Sequence, residues 1–144
     1  MWYHKTQIVD SIDPQYKAFV YLITNLISGK QYIGLKQFYC TKYKVIKGKK
    51  KRINVESDWK DYWSSSDQLK SDVKLLGEEN FRREILHFCK MKSHANYLEM
   101  REQIDRRVLE NPDLYYNRII NARVSYSHIS KLIDEINPLT ETTS

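Results

Sequence analysis

Two tyrosines, a run of basic residues and a late glutamate are the side chains that could do chemistry together in this sequence. Tyr21 and Tyr32 are separated by ten residues, and Glu99 follows where a helix is expected. Eight basic residues and no acidic one lie between Lys36 and Arg52, whereas the other 16 basic residues are balanced by 18 acidic ones. Such a local patch suits contact with a phosphate backbone, so the sequence indicates a nucleic-acid partner.

Each of these features has an ordinary explanation when it is taken alone. A strand tyrosine is usually a packing residue, and a single glutamate on a helix is usually solvated. A basic run can be a loop without a partner. The ordered combination of Tyr21, Tyr32-Ile33-Gly34, Glu99 and Tyr116-Asn117 is what favours a functional site.

The elements that must position these groups form an α+β pattern. β-Branched and aromatic residues predict strands, turn chemistry between the first two predicts a hairpin, and apolar residues at helical spacing predict helices. Ser65 and Gln68 have capping-box spacing, and Ser93 can cap the second helix. The predicted strands are 18–24, 31–35 and 81–88, the predicted helices are 65–77, 93–110 and 127–136, and residues 36–54 are predicted as a long loop with some internal order.

The length of 144 residues suits one domain. We expect a small three-stranded antiparallel sheet flanked by helices. Its predicted parts are an N-terminal extension at 1–16, the main domain at 17–120, a C-terminal helix at 121–137 and a frayed tail at 138–144. The sequence shows neither an apolar run long enough to span a membrane nor a secretory signal, so we expect no membrane partner and a cytoplasmic location.

The paired triplets in the first hairpin resemble the signature that names the GIY-YIG nuclease superfamily. Phe19-Val20-Tyr21 keeps only the tyrosine of the first triplet, and Tyr32-Ile33-Gly34 is intact. The segments 61–66, 77–86, 95–99 and 116–117 follow in the family's order, so the resemblance covers roughly residues 18–120. Among the branches, the chain looks most like the phage free-standing homing endonucleases of Seg type.

The resemblance implies roles for individual residues in phosphodiester hydrolysis. Tyr21 would deprotonate or orient the attacking water, Tyr32 would share its hydrogen-bond network, and Glu99 would bind one Mg²⁺, with Mn²⁺ as a substitute. Gly34 and Asn117 would support the site. Glu102 lies one turn after Glu99 and stays open as the alternative metal ligand.

The sequence departs from the family where an arginine and a histidine are usual after the Tyr-Ile-Gly triplet. Lysines stand in that region, and a lysine cannot supply the bidentate fork of a guanidinium. Lys36 is the first candidate for the catalytic cation, because it follows the second strand directly, and Lys42 is the second.

The resemblance implies a metal-dependent endonuclease that hydrolyses DNA, and double-stranded DNA is the expected substrate. If a phage encodes the protein, it would work in the cytoplasm of the host cell. Only residues 121–144 remain for a specificity element, which leaves room for a homodimer or an accessory partner. Two other functions stay open, a non-catalytic nucleic-acid-binding module and a structural basic protein whose motif match is accidental. The predicted DNA-binding residues are Lys44, Lys47, Lys49, Lys50, Lys51, Arg52 and Trp59.

Overall fold

The structure is a computed structural model that describes residues 1–121 and 123–137. The predicted frayed tail, 138–144, lies outside the described residues. The strands are β1 (Trp2–His4), β2 (Gln7–Val9), β3 (Ala18–Asn25), β4 (Gln31–Gln37), β5 (Tyr39–Ile46), β6 (Lys49–Glu56) and β7 (Phe81–Cys89). The helices are α1 (Asp67–Leu76), α2 (Lys92–Asp105) and α3 (Tyr126–Ile136), with short 3-10 turns at Trp59–Asp61 and Glu78–Asn80.

Five strands form a mixed sheet in the order β2-β1-β7-β3-β4. The α+β class is therefore confirmed, but the sheet has two strands more than the three predicted. Residues of the expected N-terminal extension, 1–16, supply them, and β1 runs parallel to β7. Trp2 is fully buried and its Nε1 donates to the carbonyl oxygen of Trp59 at 2.7 Å, which ties the first strand to the core.

The segment expected to be a long loop is a second, two-stranded sheet. β5 pairs with β6 from Tyr39↔Glu56 to Ile46↔Lys49. Lys47 (φ 53°) and Gly48 (φ 75°) form its turn, and positive φ at both positions matches the right-handed twist of a hairpin. Most of the ribbon is exposed on both faces. A strand pattern was therefore hard to read, because no face is buried to impose an apolar alternation.

The helix boundaries differ from the prediction at three points. The cap of α1 is Ser66, one residue later than predicted, and its hydroxyl accepts from the backbone of the first turn. Ser93 does not cap α2, because it lies inside that helix. α2 ends at Asp105 rather than Glu110, and Arg107 follows with a left-handed φ of 53°.

The central sheet separates two apolar clusters. Side chains alternate along β3, so Phe19 and Tyr21 pack on the α1 side while Val20 and Leu22 pack on the side of α2 and α3. This alternation places Tyr21 in the same apolar cluster as Trp59. Among residues 1–121 and 123–137, no helix has the length and hydropathy needed to cross a membrane.

Candidate active site

Tyr21 and Gly34 face each other across the β3–β4 pair. A Cβ built on Gly34 would lie 2.6 Å from Cζ of Tyr21 and 2.8 Å from Cε1 of Tyr32, so no larger residue fits under the two rings. The β3–β7 register shifts between Val20 and Tyr21, a bulge of the kind that redirects side chains beside functional sites. Gly34 is therefore required by the close packing of the tyrosines.

Three phenol rings form a continuous aromatic group. The rings of Tyr21 and Tyr32 are stacked with centroids 6.1 Å apart, and Tyr62 meets Tyr21 edge-on at 6.0 Å. The hydroxyls of Tyr32 and Ser65 are hydrogen-bonded at 3.1 Å. Burial raises the pKa of Tyr21 well above 10, and burial also raises the pKa of Tyr32. Both hydroxyls therefore keep their protons near neutral pH and can donate hydrogen bonds.

Glu99 of α2 lies beside the end of β4, the outer strand of the sheet. Burial raises the pKa of its carboxyl from 4.5 to about 7, and a hydrogen bond from the backbone of Leu35 partly opposes this. The charge of Glu99 contributes to raising the pKa of both Tyr21 and Tyr32, which places the carboxylate near the two phenols. A carboxylate that is costly to ionise and faces a cleft is a candidate functional group.

A cleft of about 400 Å³ opens beside this carboxylate. Its walls come from the end of β4, the start of β5 and one side of α2. The polar side chains that line it include Lys36, Cys40, Lys92, Asn96, Glu99 and Asn121. The residues of the cleft thus include one carboxylate, two ammonium groups and three amides, at a surface that can hold an anionic ligand.

Lys36 reaches this cleft, whereas Lys42 does not line it. The Nζ of Lys36 lies 2.7 Å from Oδ1 of Asp58 and 4.1 Å from the ring centroid of Tyr62. This ion pair lowers the pKa of Asp58. Lys42 is exposed in the middle of β5, opposite Ile53. The structure therefore favours Lys36 as the cation next to the phenols.

Asn117 fixes the second strand of the signature. Its Oδ1 accepts from the amide of Ile33 at 3.0 Å, and its Nδ2 donates to the carbonyl of Ile33 at 2.8 Å. Gln103 of α2 donates to the same carbonyl at 3.2 Å. These buried amides pair the edge of β4 as a neighbouring strand would, which holds the Tyr-Ile-Gly segment in place. Asn117 thus supports the strand that carries Tyr32 and Gly34.

Glu102 belongs to a different surface from Glu99. Its carboxylate lies 3.3 Å from Nε2 of His87 and 3.6 Å from Nε of Arg106, and it lines a separate cavity of about 530 Å³. The two glutamates were expected to face nearly the same direction. A three-residue step rotates a helical side chain by about 300°, so Glu102 points about 60° away from Glu99 around the helix axis and lines a different cavity.

Trp59 cannot bind DNA as predicted, because its side chain is completely buried. It packs against Phe19 and Phe38, and its Nε1 donates to Oε1 of Glu56 at 2.8 Å. The neighbouring charges suggested an exposed aromatic, but the 3-10 turn directs the indole inwards. The other predicted DNA contacts are all exposed on the β5–β6 hairpin: Lys44, Lys47, Lys49, Lys50, Lys51 and Arg52.

The sequence interpretation missed several residues of the site. Tyr62 and Ser65 contact the two signature tyrosines, and Asp58 neutralises the candidate cation. Lys92 and Asn96 come from the turns of α2 before Glu99. The segment 58–66 already carried a signal, since its aromatic and hydroxyl residues occur in the order typical of the family, but their contacts depend on the fold.

The donor set near Glu99 resembles that of a sparsely liganded divalent cation. In the part of the chain that the structure describes, no three histidine, cysteine, aspartate or glutamate side chains cluster as a metal site. One carboxylate with a nearby amide would not form a zinc or calcium cage. It fits Mg²⁺, which keeps most of its waters and uses one or two carboxylates together with substrate phosphates.

Comparison with protein families gives one match. The family model described as "Putative endonuclease segE, GIY-YIG domain" matches residues 2–120. This range includes β1, which the sequence interpretation had placed outside the domain. The searches of curated proteins and of solved structures gave no match.

Proposed function

The chain belongs to the GIY-YIG endonuclease family, and from that premise we propose that it is a Mg²⁺-dependent endonuclease that hydrolyses double-stranded DNA. The family match supports a nuclease and implies a DNA substrate. The observation that supports this proposal is that Lys36 and Glu99 line one cleft, while the charge of Glu99 also acts on the stacked phenols of Tyr21 and Tyr32. We extend the proposal to a phage homing-type role, with a dimer or accessory partner for specificity.

Tyr21 and Tyr32 orient the attacking water in this mechanism. Because their pKa values are raised, both phenols stay protonated near neutral pH and act as hydrogen-bond donors. We therefore assign Tyr21 to orienting the water, which of its two expected roles is the one that a protonated phenol supports.

Lys36 stabilises the negative charge that develops on the scissile phosphate. Its ammonium is held at the cleft by Asp58 and by the face of Tyr62. Asp58 is mostly exposed, so the ion pair is weak and a DNA phosphate can replace the carboxylate. A fixed cation aimed at developing charge contributes more in a partly dry cleft than in water.

Glu99 would hold the divalent cation, with the amide of Asn96 on the same wall of the cleft. When bound, Mg²⁺ would act as a Lewis acid that neutralises charge on the leaving 3′ oxygen. Deprotonated Glu99 is the form that binds a cation, and its raised pKa means that binding must compete with a proton near neutral pH.

Plasmid cleavage tests the proposal. Supercoiled DNA should be nicked or linearised in Mg²⁺ and left intact in EDTA. Glu99→Gln should abolish cutting and leave DNA affinity nearly unchanged. Glu102→Gln is the matched control, because it changes the same side chain one turn away without touching the cleft.

Two outcomes would contradict the proposal. If the wild-type protein binds DNA but never cuts it, the chain is a binding module without catalysis. If Glu99→Gln cuts at the wild-type rate, the carboxylate has no catalytic role. Single-stranded DNA and duplex RNA as parallel substrates decide the substrate class.

A further inference from the structure

The β5–β6 ribbon has two chemically different faces. Directly paired residues and every second residue along a strand share a face. The register places Lys42 opposite Ile53 and Lys44 opposite Lys51, and it places Tyr43 opposite Arg52. The lysine face consists of Cys40, Lys42, Lys44, Ile46, Lys49, Lys51, Ile53 and Val55. The opposite face consists of Tyr39, Thr41, Tyr43, Val45, Lys50, Arg52, Asn54 and Glu56.

Side-chain contacts agree with this division. The Nζ of Lys50 lies 4.9 Å from the ring centroid of Tyr43, so these two residues share the opposite face. The lysine face has four lysines and no acidic group among its eight residues, all of which the structure describes. The opposite face has two basic residues, and Glu56 lies at its base. Positive charge is therefore concentrated on one side of the ribbon.

The lysine face holds an arrangement that is unfavourable without a counter-charge. Lys44 and Lys51 are direct cross-strand partners, and like charges in that position destabilise a strand pair. Within the described residues, neither lysine forms an ion pair with a carboxylate. A two-stranded ribbon gains little stability by itself. A polyanion along this face would relieve the repulsion and release counterions from its phosphates.

The lysine face is continuous with the catalytic cleft. Cys40, the first residue of that face, lines the cleft together with Lys36 and Glu99. Tyr39 on the opposite face also reaches the cleft, but its ring packs against the apolar cluster around Phe19. A duplex whose scissile phosphate lies at Glu99 would therefore pass along the lysines.

We propose that the β5–β6 ribbon is a one-sided clamp for duplex DNA, in which the lysine face binds the phosphate backbone beside the scissile bond. The opposite face, with Lys50 and Arg52, points away from the duplex. This inference rests on the proposed function. The alternative explanation is a basic loop that attracts DNA through total charge alone. In such a loop every cation would contribute equally to DNA affinity, whereas in the clamp only the lysine face contributes.

Two double variants of equal charge separate these explanations. Lys44→Gln with Lys51→Gln removes two charges from the lysine face, and Lys50→Gln with Arg52→Gln removes two from the opposite face. Binding to a mixed-sequence duplex oligonucleotide is measured by fluorescence anisotropy in EDTA over a range of salt concentrations. Circular dichroism and thermal denaturation check that both variants fold as the wild type does.

The lysine-face variant should lose two phosphate contacts. The slope of log K against log salt should become shallower by about 1.8, and affinity near 0.15 M salt should fall roughly 30-fold. The opposite-face variant should keep the wild-type slope and lose less than about 3-fold in affinity. Equal losses in the two variants would overturn the one-sided clamp and leave the nuclease proposal standing.

Two further outcomes address the partner itself. If the wild-type protein does not bind duplex DNA at all, the clamp and the proposed function both fail. If it binds a duplex RNA of the same sequence more tightly and through the same lysine face, the DNA assignment of the ribbon is overturned.

Discussion

Glu99→Gln should stabilise the protein while it abolishes cleavage. Burial raises the pKa of this carboxyl from 4.5 to about 7, so the folded protein favours the protonated form. A group of this kind contributes stability below its unfolded pKa, and that contribution is lost as the pH rises through 7. The difference between the unfolded and folded pKa values corresponds to a loss of at most about 3 kcal/mol in the free energy of unfolding. Water in the open cleft reduces this loss to about 2 kcal/mol. A neutral glutamine avoids the loss.

Urea denaturation at two pH values measures the effect. The unfolding free energy of Glu99→Gln relative to wild type should increase by about 2 kcal/mol between about pH 5 and about pH 8, because only the wild-type carboxyl ionises in that range. Glu102→Gln is the control on the same helix. Glu102→Gln should show no gain in unfolding free energy, because the substitution removes the carboxylate that contacts His87 and Arg106.

Magnesium provides an independent readout of the same site. A cation that binds only the folded protein stabilises it by about 2.7 kcal/mol at 100 times its Kd. Mg²⁺ should therefore raise the unfolding free energy of the wild type at about pH 8 and leave that of Glu99→Gln nearly unchanged. A stability difference between variant and wild type that does not vary with pH would refute the assignment of a buried, ionisable Glu99.

Four further variants and one control address the rest of the site. Tyr21→Phe and Tyr32→Phe should fold normally, because the rings still pack, and should lower the single-turnover cleavage rate by about 10-fold or more; unchanged rates in both would make the phenols structural. Lys36→Ala should lower that rate by about 10²-fold with little change in DNA affinity, and Lys42→Ala should not; the reverse result would place the catalytic cation on the hairpin. Gly34→Ala should lower the free energy of unfolding, measured by thermal denaturation, by about 1–3 kcal/mol, because the added Cβ would meet the buried ring of Tyr21. A variant as stable as the wild type would contradict that packing.

The sequence was sufficient for the signature hairpin because its determinants are local. A run of buried residues, a turn containing Gly29 with a φ of 80°, and a second strand lie within twenty residues of one another. Side-chain alternation and hairpin pairing follow from such short-range patterns. The α+β class and the family resemblance could be predicted for the same reason.

The β5–β6 ribbon was missed because hairpin prediction depends on an amphipathic alternation. Lys42, Lys44, Lys49 and Lys51 share one face, but neither face is buried, so polar residues occupy both. The turn Lys47-Gly48 also lacks the asparagine or aspartate that marks most two-residue hairpins. Total charge could be read from the sequence, whereas its distribution between two faces required the register.

By itself, the sequence determined the hairpin that carries Tyr21 and Tyr32, the family, and the basic character of residues 36–52. Only the tertiary structure decided that Glu99 and Lys36 reach the cleft while Glu102 and Lys42 do not, and that Trp59 is core. The physical reason is that these choices depend on contacts between residues far apart in the chain. The packing of α2 against the edge of β4 determines which glutamate lines the cleft, and packing against Phe19 and Phe38 buries the indole of Trp59.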